Sequence, residues 1–196
     1  MFFAQYVFSD PLKIRDFFVS MPDTVLPILH KNDRLDILDL YDNIQSAAGK
    51  DNYSGISISD RWLRLLYSPG SHVKMAMFTH KTDTVLSLIH TFFTSVPLSV
   101  VSFYSTDWEP ILNESVCTMP SPKDFVKKEY TNKDSIRLLE CHIPFDTYII
   151  DVDTLEQSLL FKYTGNSFFS VEDSARFLDW FSERTVKLRW NGKRFK

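Results

Sequence analysis

Residues 73–104 read VKMAMFTHKTDTVLSLIHTFFTSVPLSVVSFY, and the fold turns on how they divide. Val73 to Thr79 alternates loosely and reads as a buried strand. Asp83 stands as a cap before Thr84 to Thr94, where Val85, Leu86, Leu88, Ile89, Phe92 and Phe93 cover more than one face of a helix. Leu98 to Tyr104 reads as the next strand, joined by the short link Ser95 to Pro97. The expectation is a strand–helix–strand unit, right-handed if its strands are parallel neighbours.

Upstream, Met1 to Phe8 reads as a strand, and Ser9-Asp10-Pro11 as the start of a helix running to Ser20. A helical turn is expected near Thr24 to Leu29. A longer helix runs from Arg34 to Ala48, with Ile37, Leu40, Tyr41 and Ile44 at helical spacing and Gly49 closing it. Gly49 to Ser59 reads as a loop. Trp62 to Leu66 reads as a short helix, followed by a turn at Tyr67 to Gly70. Downstream, Trp108 to Ser115 reads as a helical turn and Lys123 to Tyr130 as a short charged helix. Ile136 to Pro144, Thr147 to Val152, Leu159 to Tyr163 and Phe168 to Val171 read as strands. Ser170 with Asp173 opens a helix to Glu183. The chain closes on a hairpin, Lys187 to Trp190 and Lys193 to Lys196 about Asn191-Gly192. The fold class expected is α+β: one domain over residues 1–196, with a mixed sheet, packed helices and a C-terminal β-hairpin.

The composition agrees with that class. The 196 residues are 44% hydrophobic and 24% charged, with a net charge of −3. Area scaling gives roughly 9,600 Å² of folded surface against about 33,000 Å² for the open chain, enough burial for a core. This excludes disorder, collagen and coiled-coil rods. Two cysteines, Cys117 and Cys141, make no disulfide framework, and no run of 18 apolar residues occurs. The start lacks the pattern of a signal peptide. The expected setting is cytoplasmic, with reduced thiols and no membrane contact. Five Gly beside 17 Phe fit an AT-rich genome such as many phages carry.

Charge is unevenly placed. Residues 184–196 hold six Lys/Arg and no acid, leaving residues 1–183 at −9. Lys187, Arg189, Lys193 and Arg194, interleaved with Trp190 and Phe195, form a basic aromatic tip suited to phosphates and stacked bases, or to an acidic protein patch. The acidic body opposes nucleic acid at long range. There is no phosphate-binding glycine loop, no His-x-x-x-His and no Cys-x-x-Cys, so no metal is expected. No nucleophile elbow marks a Ser/His/Asp triad.

One constellation stands out. Phe78-Thr79-His80-Lys81-Thr82 precedes the Asp83 segment. Further on come Ile136-Arg137-Leu138-Leu139, Ile143-Pro144-Phe145-Asp146-Thr147-Tyr148, Glu156-Gln157-Ser158-Leu159-Leu160 and Gly165-Asn166-Ser167-Phe168. Together, over residues 73–171, these resemble the ADP-ribosyltransferase fold in its diphtheria-toxin-like branch. The resemblance implies NAD as cofactor, with His80 gripping its ribose and amide. It implies Tyr104 stacked on nicotinamide and Glu156 stabilising an oxocarbenium-like ribose.

Set against that are the missing catalytic motifs and the abundant aromatics. They favour a non-catalytic protein that binds a macromolecular partner, an accessory, inhibitor or assembly factor of the phage type, without a cofactor. The ADP-ribosyl transfer reading and nucleic-acid binding through the C-terminal hairpin stand as the two alternatives.

Overall fold

The computed structural model describes residues 12–48, 55–81, 83–142, 146–181 and 185–196. The expected strand at Met1 to Phe8 and the helix start at Ser9 to Pro11 lie outside them. Two helices come first, α1 (Ile14–Ser20) and α2 (Lys31–Ala48). A meander follows of β1 (Ile56–Ile58), β2 (Trp62–Ser68), β3 (Ser71–His80), β4 (Asp83–Phe92), β5 (Leu98–Tyr104) and β6 (Pro110–Ile111), paired in chain order. The short helices α3 (Asn113–Val116) and α4 (Lys133–Glu140) lead to β7 (Tyr148–Asp153) and β8 (Ser158–Tyr163). Helix α5 (Val171–Phe177) and β9 (Val186–Arg189) finish the chain, and β7, β8 and β9 form a second sheet in that order. The α+β class holds, and the strands pair antiparallel in both sheets.

The expected strand–helix–strand unit is corrected. Residues 83–92 are a strand that pairs with β3 from Ser71↔Phe92 to His80↔Asp83, and with β5 from Leu86↔Tyr104 to Phe92↔Leu98. The apolar residues of β4 lie on two faces because both are covered. Leu86 and Leu88 join Met75, Met77, Leu63 and Leu65 under α1 and α2. Val85 and Ile89 join Phe78, Val101, Phe103, Ile150 and Phe161 between the sheets. A central strand buried on both sides reads as a continuous apolar run, which helical periodicity imitates. Lys81, at φ 55, stands in the tight reversal between β3 and β4, and Asp83, expected to cap a helix, begins β4.

Further elements differ. Residues 62–66 belong to β2, where Leu63 and Leu65 point inward while Arg64 and Leu66 point out, a period of two. Residues 133–140, expected to enter a strand, form α4, with Asn132 Oδ1 accepting from Ser135 N at 2.9 Å. No strand forms over Phe168 to Val171: Phe168 ends a 3₁₀ turn begun at Gly165, and Val171 opens α5.

The molecule is layered as helices, large sheet, small sheet. The sheets are tied by Ser99 Oγ, which accepts from Ile150 N at 3.0 Å, and by Thr164 Oγ1, which donates to Pro97 O at 2.8 Å. Two outer amides of edge strand β7 are already used: Ile150 N bonds Ser99, and Val152 N donates to Asp151 Oδ1 at 2.7 Å. That blunts an edge open to pairing with another chain.

Candidate functional site

The meander gives the molecule two ends. At one, the β1–β2, β3–β4 and β7–β8 turns meet the C-terminal hairpin. At the other, β4 runs out at Phe92 beside the β2–β3 turn.

The first end is charged and knotted by Gln157. Its Oε1 accepts from Thr79 N at 2.6 Å, its Nε2 donates to Thr154 O at 2.5 Å, and its carbonyl accepts from Trp190 N at 2.7 Å. Three chain segments thus share one residue, itself held at φ 54. Glu156 accepts from Lys187 and, at 2.9 Å, from Arg189, and those bonds hold its carboxyl below the usual range. Asp153 Oδ2 lies 3.6 Å from Lys187.

The expected NAD residues are not assembled there. His80 follows Ala76 and Phe78 on the face toward the small sheet, and its ring packs against Gly192. Tyr104 lies opposite Leu86 on the helix-side face, 5.4 Å from the Trp108 ring. The large sheet separates the two. Glu156, the third of the set, is an exposed member of an ion-pair cluster.

The basic aromatic tip is likewise different from its expectation. Trp190 and Phe195 are buried, with Phe195 edge-on to Phe78 at 4.9 Å and tilted on Phe103 at 5.5 Å. They pack the core and have no face left for a base. Lys187 and Arg189 are engaged by Glu156, and Arg194 donates to Thr118 Oγ1 at 2.8 Å. Lys193 stays exposed on the turn. The hairpin itself forms: Arg189 and Lys196 exchange backbone bonds, and Asn191 Oδ1 accepts from Lys193 N and Arg194 N. Gly192 takes φ 94, whereas Asn191 does not enter the left-handed region.

A Ser, an Asp and a His do come together elsewhere. Ser170 Oγ donates to Asp173 Oδ2 at 2.8 Å, and His142 Nε2 lies 3.8 Å from Asp173 Oδ1. The carboxylate stands between hydroxyl and imidazole, so no base faces the serine, and Ser170 also accepts from Asp173 N as a helix cap. The Cys117 thiol is buried, and burial pushes it up to about 11, away from nucleophilic use. Among the described residues, no three His, Cys, Asp or Glu side chains gather as metal ligands.

The second end is aromatic. Phe92 and Phe93 are successive residues on opposite faces of the large sheet, 37% and 45% exposed. On the helix-side face, Phe92 stacks with His90, whose cross-strand partner Val100 is 53% exposed. On the other face, Phe93 lies 5.1 Å from the His72 ring, whose partner Leu66 is 39% exposed. Burial lowers the pKa of both histidines. Lys74 and Arg64 lower His72 further, with Asp151 opposing. Each exposed phenyl therefore stands beside a neutral imidazole. From sequence this rim is hidden inside the supposed helix. Read as a strand, Phe92-Phe93 must put one ring on each side.

Architecture and surface together define a layered α+β protein of two antiparallel sheets, with an apolar aromatic rim. Residues 7–195 match a family described as "Protein of unknown function (DUF3256)", and the chain belongs to it. Its fold is similar to that of a domain of an uncharacterized protein from Porphyromonas gingivalis W83. The two are 18% identical, with a TM-score of 0.75 over 93% of this chain and 96% of that one. No curated protein matches.

Proposed function

We propose that the protein acts without catalysis, by holding a protein partner on its aromatic end. The observation that carries this reading is the rim of Phe92, Phe93, Val100 and Leu66, exposed on two faces around one strand end. Rings left part-exposed in a chain with a well-filled core cost solubility unless something covers them. Aromatic side chains are also the residues that concentrate binding energy at the centre of interfaces. Because His72 and His90 are held neutral, a fitting partner presents aliphatic or aromatic side chains rather than charge. Both cysteines are free thiols, in keeping with the cytoplasmic setting carried over from the sequence. No described helix is long and apolar enough to cross a membrane.

The test is affinity capture from native cells with the wild-type chain and with a Phe92→Ser/Phe93→Ser variant. Both residues are part-exposed, so the variant should melt close to wild type. The reading expects a discrete protein retained by the wild type and lost from the variant. An identical set of captured proteins on both baits would overturn it.

A further inference from the structure

The charged end carries a cleft of about 600 Å³ between the β1–β2 turn and the β7–β8 turn. Its lining includes two apolar residues, Trp62 of β2 and Leu160 of β8. Leu155 also lines it and is 96% exposed. Two charged side chains complete the lining, Asp60 and Arg61, both exposed. Although neighbours in the chain, they form no ion pair with each other. Among the described residues neither the Arg61 guanidinium nor the Asp60 carboxylate takes a hydrogen bond or a charged partner. The other acid of the cleft, Asp153, is already bonded by Glu156 N at 2.9 Å and lies 3.6 Å from Lys187.

The backbone beneath these two groups is fixed. Asp60 O accepts from Ile14 N at 2.9 Å, Arg61 O accepts from Met77 N at 2.9 Å, and Ser59 N bonds Trp62 O at 2.8 Å. Ser59 Oγ accepts from the amides of Arg61 and Trp62. These bonds fix the backbone of the turn on which Asp60 and Arg61 stand, beside Trp62.

We propose that this cleft binds a short zwitterionic peptide with an apolar side chain. The ligand carboxylate takes the Arg61 guanidinium, a geometry suited to two parallel hydrogen bonds. The ligand ammonium takes the Asp60 carboxylate. The apolar side chain lies on Trp62, with Leu155 folded against it. The volume is in the range of small-ligand sites and fits two or three residues. A simple anion gains only Arg61 and meets an acidic body, and a simple cation meets Arg61; a zwitterion uses both heads. The site lies at the opposite end of the sheet from the aromatic rim and stands independently of the partner reading.

The test is calorimetric titration of the full chain with the dipeptide Leu-Leu, its N-acetylated form and its C-amidated form. Leu-Leu should bind saturably. Blocking either terminus should weaken it about tenfold or more, as should Arg61→Gln or Asp60→Asn, with unchanged melting temperature. No saturation at about 10 mM, where even a millimolar site would fill, would overturn the proposal. So would binding of Leu-Leu that survives Arg61→Gln or either blocking group undiminished.

Discussion

Replacing Arg34 by methionine removes a buried guanidinium and leaves its shape largely filled. Arg34 is 1% exposed in the first turn of α2. Its Nη1 donates to Leu29 O and, at 3.0 Å, to Asp23 Oδ1, while Nη2 donates to Met21 O. The residues between α1 and α2 are thus pinned to one side chain. Exchanging a whole buried ion pair for apolar groups is often neutral. Here the acceptors are main-chain carbonyls, which cannot be exchanged with it. Each charge-assisted bond lost is worth about 1.5–3 kcal/mol, and relief of the buried charge, whose Nε has no partner, returns part. The Asp23 bond, with that carboxylate 46% exposed, adds little. The net loss is about 3 kcal/mol. With an unfolding entropy of roughly 2.1 cal/mol/K per residue, that lowers the melting temperature by about 7 °C. Reversible thermal melts followed by circular dichroism read it directly, with Asp23→Asn, at an exposed carboxylate, as a control expected to melt close to wild type. An Arg34→Met protein melting within about 2 °C of wild type, under 1 kcal/mol, would refute the reasoning.

Gly192→Ala should destabilise by about 1–2 kcal/mol, since φ is 94 and an added Cβ would stand 2.8 Å from the His80 ring. In a double-mutant cycle, His80→Ala should recover part of that loss, and strict additivity would contradict the contact. A thiol reagent should label exposed Cys141 quickly and buried Cys117, pushed up to about 11, only on unfolding; rapid labelling of both would contradict the packing. Glu156 has a folded pKa lowered from 4.5 by Lys187 and Arg189, so its stabilisation is present above that value and fades as pH falls through the folded pKa. The melting-temperature gap between wild type and Glu156→Gln should therefore close as pH falls below 4.5 through the lowered folded pKa, and a gap that widens on acidification would reverse the assignment.

Much of the small sheet was legible from sequence, because β7 and β8 are short, bounded by turn residues and paired across one turn. Strand β5 was legible too, set off by Pro97. The C-terminal hairpin announced itself through Asn191-Gly192, although only the glycine uses the left-handed region. Strand β4 was not legible by periodicity, since Leu86 and Val85 face different cores. A compositional signal did exist: Thr84, Val85, Ile89 and Thr91 are β-branched, and the segment lacks the Ala, Glu and Lys that favour helices. That misreading also hid the site. Phe92 and Phe93 looked like part of a helix buried on more than one face, whereas the aromatics that looked exposed, Trp190 and Phe195, fill the core between the sheets. The pairing partner, which no local pattern contains, decides both.

The most direct measurement is site-specific photocrosslinking in native cells, with a photoreactive phenylalanine analogue placed at Phe92, at Phe93 and, as a control on the far end, at Leu155. The account predicts a discrete protein adduct from positions 92 and 93 and none of the same mass from 155. Silence at both aromatic positions, or the same adduct from all three, would contradict it.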